Sequence, residues 1–245
     1  MRIENYLFSL RGFQIEKSVK TLTEVGETVL SLNRLNTAVK TMTIRSFIGL
    51  PLLKNTANEL GDVAAKMSYQ DKSNAVRWVD QENYHITLAF LGEQSESQLE
   101  FLAEQLDSHI ASHEFQLELS HLSPFPATKP KLVAAMAQNN EDLNQLHQQV
   151  ISAINASNML IDKRKFIPHV TLGRYRHSRN SYAGSFPLNV LFDTIVEEVV
   201  LYESVLSTAG AEYQPIYRFP LDEYDSDYMN FDKQYDANEF IADEG

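Results

Sequence analysis

Hydrophobic residues along the chain follow two periods, one helical and one extended. Spacings of three or four predict amphipathic helices, and alternating or short apolar runs predict strands between them. The predicted helices cover residues 15–39, 53–67, about 95–106 and 143–154. The predicted strands cover residues 44–50, 76–79, 84–91, 115–122, 132–137, 170–175, 186–191, 195–206 and 213–220. Single helices between groups of strands, with hairpin-length connections, indicate an α+β fold with antiparallel sheets.

Several predicted elements carry end signals in the sequence. Pro51 closes the first strand, Gly92 ends the strand that begins at Tyr84, and Ser95 is a candidate helix N-cap. Met42 opens the first segment with the character of a domain core. The helix before it either docks on its own domain or is an appendage. We predict a helical extension over residues 1–41, one domain over 42–221, and an acidic, disordered tail over 222–245.

Composition narrows the class of protein. The 245 residues include 33 acidic and 21 basic side chains, which gives a formal charge of −12, and there is no cysteine. The absence of cysteine excludes disulfides and thiolate metal sites. The longest apolar stretches are only a few residues, so neither a membrane span nor a signal peptide is predicted. We expect a cytoplasmic protein, and a monomer.

The charge is unevenly distributed. Residues 222–245 hold nine acidic residues and one lysine, whereas residues 163–179 hold six Lys and Arg and no acid. The basic run is either a solvated loop or strand face, or a surface that binds an anion. The overall charge argues against holding long RNA over the whole surface. The basic run favours a local grip on one terminal phosphate.

One tetrapeptide pattern occurs twice. His85-Ile86-Thr87-Leu88 and His169-Val170-Thr171-Leu172 lie 84 residues apart, both in predicted strands. Residues i and i+2 of a strand share a face, so each His lies beside its Thr. Ile86, Leu88, Val170 and Leu172 then face the core. A single histidine on a strand is usually structural, but a matched pair favours a catalytic role.

The motifs that the sequence lacks narrow the range of reactions that such a histidine pair could catalyse. The sequence has no HExxH, His-x-His or acidic cluster for a metal, no G-x-S-x-G nucleophile turn, and no P-loop or dinucleotide-binding glycine pattern. We therefore expect neither metal nor cofactor. Two imidazoles on opposite sides of a phosphorus atom can act as general acid and general base. The Thr hydroxyls and nearby cations would hold the charged group between them.

The flanks of the repeated pattern carry a resemblance to a known family. Asn83 to Glu93 (NYHITLAFLGE) and Phe166 to Arg174 (FIPHVTLGR) resemble the two H-x-T-x motifs of the 2H phosphoesterase superfamily. Within it they are most similar to the RNA 2′,3′-cyclic phosphodiesterases once named 2′-5′ RNA ligases. The resemblance extends to a first strand at Arg45 to Pro51 and to a closing pair of strands, and covers residues 42–221. Neither end of the chain belongs to the pattern.

This resemblance implies a fold, a reaction and a set of roles. The fold is bilobal α+β, with two lobes of antiparallel sheet related by a pseudo-twofold axis, helices outside and a central cleft. The reaction is metal-independent hydrolysis of an RNA 2′,3′-cyclic phosphate end to a 2′-phosphate. His85 would be the general acid and His169 the general base. Thr87 and Thr171 would bind phosphate oxygens, and Arg174 would contact the phosphate.

Alternative functions remain open at this point. The same residues would serve a 2′-5′ RNA ligase or nuclease, or a phosphodiesterase acting on a small cyclic nucleotide. A non-catalytic module that binds RNA ends would keep the cleft without turnover, and purely structural histidines would affect stability alone. Four aromatic residues near the motifs would either stack on a base or pack in the core: Trp78, Tyr84, Tyr175 and Tyr182. The histidines outside the motifs and the basic run receive no role: His109, His113, His121 and His147.

Overall fold

The computed structural model describes residues 43–161, 165–176, 182, 184–187, 191–206 and 211–223. In this part of the chain it has nine strands and three α-helices. The helices are α1 Lys54–Gln70, α2 Glu96–His109 and α3 Glu141–Ala156. The strands are β1 Thr43–Pro51, β2 Val76–Trp78, β3 His85–Ser95, β4 Phe115–Phe125, β5 Leu132–Ala137, β6 His169–Tyr175, β7 Phe192–Val196, β8 Glu198–Leu206 and β9 Ala211–Pro220. The predicted extension over 1–41 and nearly all of the predicted tail lie outside the described residues.

All strands join one antiparallel sheet in the order β7-β4-β5-β6-β3-β1-β8-β9, with β2 paired to the far end of β6. The order divides into two lobes of four strands. The first lobe is β3-β1-β8-β9 and the second is β6-β5-β4-β7. Strands β3 and β6 join the lobes through a single paired position, Ile86 with Val170. The two strands that carry the repeated pattern therefore lie side by side at the centre of the sheet.

The lobes are related in connectivity as well as in strand order. Helix α1 connects β1 to β3 with β2 on the way, and helix α3 connects β5 to β6. Each of these helices packs against the opposite lobe, α1 on β6 and β7 and α3 on β3. The predicted α+β, bilobal architecture is confirmed. The exchange of helices holds the lobes together where strand pairing is minimal.

The burial of the two central strands follows the predicted alternation. Ile86, Val170 and Leu172 are fully buried, and Leu88 nearly so. These four apolar side chains face the helices, where burial of each contributes about 1.5–3 kcal/mol. The opposite face of the same strands carries the polar residues of the repeat. None of the described helices is long and apolar enough to cross a membrane.

The end signals were partly right. Ser95 caps α2, because its hydroxyl accepts the N–H of Gln98 while the Gln98 side chain accepts the N–H of Ser95. The prediction that Gly92 ends its strand was wrong, since β3 runs on to Ser95. Gly92 has φ of +71°, a conformation that glycine adopts without strain, and lies at an irregularity of the pairing with β1. The glycine bends the strand instead of ending it.

Two strand predictions near the C-terminal end were also wrong. Residues 186, 187 and 191 lie outside any strand, and the strand in this region is β7. The predicted strand over 195–206 is two strands separated by Glu197, whose carbonyl accepts the N–H of Leu221. That one residue carries the chain from the second lobe into the first, so the sheet is curled. Apolar and polar residues keep alternating across Glu197 although the neighbouring strand in the sheet changes there. The sequence period therefore does not reveal the break.

Candidate active site

The polar side chains of the two repeats meet on one face of the sheet. Because Ile86 pairs with Val170 in an antiparallel sense, His85 lies across from Thr171, and Thr87 lies across from His169. All four side chains are half-buried. The result is a rectangle with a histidine and a threonine in each row. The four residues singled out from the sequence thus lie together on one face.

A β-bulge follows each Thr and alters which residues reach this face. In β6, Thr171 pairs with Ala134 and Gly173 with Val133, so Leu172 is an extra residue. In β3, Leu88 is the extra residue in the same way. A bulge shifts the alternation of side chains by one. Consequently the residues five positions after each His, Phe90 and Arg174, project from the same face as the histidines.

Phe90 and Arg174 occupy equivalent positions at opposite ends of the rectangle. Arg174 lies beyond Thr171, at the end where His85 is, and its side chain is exposed. Phe90 lies beyond Thr87, at the end where His169 is, and its side chain is 56% exposed. One end of the site therefore offers a cation and the other an aromatic face. Sequence reasoning missed Phe90, although its spacing from His85 equals that of Arg174 from His169.

Both imidazoles are held by the same kind of contact. The Nδ1 atom of His85 lies 2.7 Å from the carbonyl oxygen of Asn83, and Nδ1 of His169 lies 2.7 Å from that of Ile167. A carbonyl only accepts, so Nδ1 carries the hydrogen in each ring. The Nε2 atoms are then free to take or give a proton. The two motifs are thus equivalent in backbone, tautomer and available nitrogen.

The surroundings of the two rings differ. The His85 ring contacts Phe47 and Tyr213, with ring centroids 4.8 and 5.0 Å away, and Tyr202 lies at 6.0 Å. A Cβ at Gly49 would lie 3.0 Å from the Ile86 carbonyl oxygen and 3.3 Å from Cδ2 of His85. A side chain at Gly49 would therefore displace this imidazole. These residues lie far from His85 along the chain, and no local sequence signal marks them.

Among the described residues, the second lobe provides a thinner wall for His169 than the first lobe does for His85. Its ring contacts Phe125, with centroids 4.5 Å apart. Ala134 pairs with Thr171 where the first lobe has Gly49 paired with Thr87. A cavity of about 320 Å³ opens beside His85, and Lys54, Asn58, Gln81 and Tyr202 are among the residues that line it. The two sides of the site thus differ in bulk and in polar lining.

Electrostatics make both histidines weak bases in the free protein. The pKa of His85 is lowered to about 4, mainly by burial; the hydrogen bond to Asn83 opposes this shift, and the positive charges of Arg174 and His169 add to it. Burial also lowers the pKa of His169, with Arg174 again contributing and the bond to Ile167 opposing. Both rings are therefore neutral near pH 7. An anion between them would raise both pKa values.

The remaining predictions near the motifs have mixed outcomes. Four members of the basic run lie outside the described residues: Lys163, Arg164, His177 and Arg179. Tyr84 and Tyr182 are buried, and Trp78 and Tyr175 pack against the core, so core packing describes these four aromatics. Over the described ranges, no group of three or more His, Asp or Glu side chains is placed to hold a metal ion. The polar groups on the shared face of β3 and β6 include two imidazoles, two hydroxyls and a guanidinium.

Comparison with known proteins gives the family of this chain. Residues 57–195 match the model of the 2′-5′ RNA ligase superfamily. The chain belongs to the 2′-5′ RNA ligase superfamily. The predicted membership of the 2H phosphoesterase superfamily is thereby confirmed.

Members of the superfamily with curated names are similar over most of the domain. An RNA 2′,3′-cyclic phosphodiesterase of Bacillus subtilis is 27% identical over 186 residues, covering 71% of this chain and 95% of the relative. One from Aeropyrum pernix is 32% identical over 149 residues, covering 58% and 84%. One from Geobacillus stearothermophilus is 29% identical over 186 residues, covering 71% of this chain. The chain spans only 56% of that last relative's length.

Solved structures of the superfamily share the fold. Apo LigT of E. coli superposes with a TM-score of 0.62 at 26% identity, over 74% of this chain and 99% of LigT. LigT in complex with 3′-AMP gives a TM-score of 0.62 at 28% identity, over 73% and 98%. In both cases about a quarter of the present chain has no counterpart in LigT.

Proposed function

We propose that this protein hydrolyses the 2′,3′-cyclic phosphate at an RNA end to a terminal 2′-phosphate. The observation that carries the proposal is the matched pair of imidazoles, each with Nδ1 bonded to a carbonyl and Nε2 free, on one face with two Thr hydroxyls and a guanidinium. Paired imidazoles suit proton transfer on both sides of a phosphorus atom. The hydroxyls and the guanidinium suit its oxygens.

The proposed reaction is a single displacement by water. His169 takes a proton from water through Nε2 as the water oxygen bonds to phosphorus. In the complex the phosphate raises the pKa of His85, so that its Nε2 takes up a proton from solvent. The bond from phosphorus to O3′ breaks, and Nε2 of His85 gives this proton to O3′. Thr87, Thr171 and Arg174 hold the non-bridging oxygens while charge shifts onto them. The product has a 3′-hydroxyl and a 2′-phosphate, and proton exchange with solvent restores the two rings.

The assigned roles also orient the substrate. Since O3′ leaves at the side of His85, the terminal ribose and its base lie at that end of the rectangle. The 320 Å³ cavity beside His85 offers them room and polar groups, and Arg174 lies at the same end. Water then approaches from the side of His169, where the described residues form the thinner wall.

The relatives support this choice of substrate. The Bacillus, Aeropyrum and Geobacillus proteins are named RNA 2′,3′-cyclic phosphodiesterases. The LigT complex holds 3′-AMP, a nucleotide with its phosphate on O3′. A ligand of that kind places a phosphate and a nucleoside together, as the proposed substrate requires.

The first test uses an oligoribonucleotide ending in a 2′,3′-cyclic phosphate. We expect a 2′-phosphate product by ³¹P NMR, with an unchanged rate after exhaustive treatment with EDTA, because the proton-transfer groups are side chains of the protein. A 3′-phosphate product, or activity lost with EDTA and restored by a divalent cation, would contradict the proposal. Tight binding without product would favour an RNA-end-binding module. A 2′-5′ linked product formed with a 5′-hydroxyl RNA would favour the ligase reaction.

The pH dependence of the rate is a second expected result. The kcat/KM profile reports the free protein, in which the pKa of His85 is about 4 and that of His169 is lowered from its usual value. The two inflections of the kcat/KM profile, one for each histidine, should therefore both lie below pH 6.5. Above them, kcat/KM should decline as pH rises through neutrality. The kcat profile should lie at higher pH, because the bound phosphate raises both pKa values.

A substitution at Arg174 checks the sign of this effect. Arg174→Gln removes a positive charge that lowers the pKa of both imidazoles, so the limbs of kcat/KM should move to higher pH. The absolute rate is also expected to fall, and only the positions of the limbs are compared. A kcat/KM optimum above pH 7 in the unmodified protein would be inconsistent with the electrostatics of this site.

A further inference from the structure

Strand β2 extends the polar face of the sheet beyond the first histidine. It pairs with the far end of β6, and Arg77 lies opposite Arg174 in that pairing. The chain that follows stays beside β6, because the N–H of Val79 donates to the carbonyl oxygen of Leu172 at 2.9 Å. Strands β2 and β3 therefore lie one after the other along the same side of β6.

Arg77 projects from the same face as the two histidines. Residues directly opposite in an antiparallel pair project to one side, so Arg77 shares the face of Arg174, and both are exposed. Val76 and Trp78 project to the other side, where both side chains would meet a Cβ placed on Gly173. Val76 is fully buried there. The polar face thus has a third row beyond the rectangle, in which two arginines lie side by side.

Two arginines in one row are suited to an anionic ligand. Like charges directly opposite each other in an antiparallel pair are destabilising, and a bound anion would relieve this. Arginine also forms bidentate hydrogen bonds with phosphate. Arg174 is already assigned to the oxygens of the cyclic phosphate in the proposed reaction. Arg77, in the same row and on the side of β3, is placed to meet a second anionic group of the same ligand.

The chemistry of the substrate supplies an anion in this direction. In the proposed reaction O3′ leaves at the side of His85. In ribose, C3′ is bonded to C4′, which carries the C5′ arm, and the rest of an RNA chain is attached through a phosphodiester on O5′. The RNA chain therefore leaves the site at the end of His85, where the third row lies. A single nucleoside 2′,3′-cyclic phosphate has no charged group there.

We propose that Arg77 binds the internucleotide phosphate on the 5′ side of the terminal nucleotide, so that the protein acts on RNA ends in preference to single cyclic nucleotides. The inference rests on the proposed function for the orientation of the ribose. It assigns the two arginines of the third row to different phosphates. Arg174 contacts the cyclic phosphate, and Arg77 contacts the next phosphate along the RNA chain.

The kinetic test compares two substrates that differ by one charge. Adenosine 2′,3′-cyclic phosphate has a 5′-hydroxyl, and its analogue carries a methyl phosphodiester on O5′, which mimics the RNA chain without a second base. Because hydrogen bonds to charged groups are the stronger ones, we expect kcat/KM of the full chain to be about tenfold higher for the analogue. Arg77→Gln should reduce this ratio to less than about twofold. In the unmodified protein the ratio should fall as NaCl is added, since salt screens exposed charges.

The matched control is Arg45→Gln. Arg45 is exposed in β1 and pairs with Glu93, at the end of the sheet where Phe90 lies. The substitution makes the same change of charge away from the third row, so the ratio should keep its unmodified value. A ratio that is retained in Arg77→Gln, or an equal loss in Arg45→Gln, would overturn the proposal. If Arg77→Gln shows no cooperative melting transition, Arg77→Thr replaces it, because threonine favours strands.

A binding measurement without turnover separates this inference from the proposed function. The ligands are adenosine 2′-phosphate and the same compound with the methyl phosphodiester on O5′, titrated into the full chain by calorimetry. The second ligand should bind about tenfold more tightly, and Arg77→Gln should remove the difference. If this difference occurs but no cyclic phosphate is hydrolysed, the role of Arg77 stands and the proposed reaction falls. If hydrolysis occurs and the two cyclic substrates react equally well, the role of Arg77 falls alone.

Discussion

Replacing either His85 or His169 by Asn is expected to lower kcat/KM by about 10²–10⁴ while the protein stays folded. The Asn side chain can place an N–H near the position of Nδ1, where it would bond the carbonyl of Asn83 or Ile167 as the imidazole does. It has no nitrogen that titrates, so only proton transfer is removed. Initial rates on the cyclic-phosphate oligoribonucleotide give the loss, and a thermal melt of each variant measures its folding.

The double variant and a surface control make this result specific. Because the two imidazoles act in one step, the double variant should lose about as much as the more damaging single one. His109→Asn changes a histidine that also bonds a backbone carbonyl, and it should keep its full rate. Wild-type-like turnover by either single variant would remove that histidine from the mechanism. A loss of melting temperature in proportion to activity would indicate structural histidines instead.

Replacing Thr87 or Thr171 by Val is expected to lower kcat/KM by about 10², and the double variant by at least as much. Val has the shape of Thr and lacks the hydroxyl, so the half-buried positions stay filled while a donor to the phosphate is lost. Removal of one donor to developing negative charge typically lowers rates by about 10²–10³. Steady-state kinetics on the same substrate measure both kcat and KM.

The control for the threonines is Thr43→Val. Thr43 lies at the start of β1, and its hydroxyl donates to Glu93 away from the cleft. The rate of the Thr43→Val variant should be unchanged. If the Thr87 and Thr171 variants kept full kcat/KM, these hydroxyls would not hold the phosphate. Of the three residues proposed to bind its oxygens, only Arg174 would then remain.

The sequence predicted which residues of the two repeats share a strand face because that information is local. Alternation within each repeat placed the His and Thr on one face and four apolar residues on the other, and burial of Ile86 and Val170 agrees. The capping box at Ser95 is local in the same way. Fold class followed from the order of helices and strands, together with the resemblance carried by the two motifs.

The rest depends on backbone irregularity and on distant contacts. Strict alternation would put Arg174 on the face opposite His169, and only the bulge at Leu172 returns it to the site. The wall around His85 comes from Phe47, Tyr202 and Tyr213, which the strand order brings together from far along the chain. The split of the long strand at Glu197 depends on a change of sheet partner. None of these has a signature in residue spacing.

For the proposed reaction, the near-equivalence of the two lobes has a consequence for regiochemistry. Two identical acid–base groups with matching tautomers have no intrinsic direction, and would transfer protons equally well with O2′ or O3′ as the leaving atom. The choice between a 2′- and a 3′-phosphate product must then come from what differs between the lobes. Among the described residues, the differences include Gly49 against Ala134, three aromatic rings against Phe125, and Phe90 against Arg174. Selectivity for one isomer is thus separable from rate, and exchanging residues between the walls is the direct route to altering it.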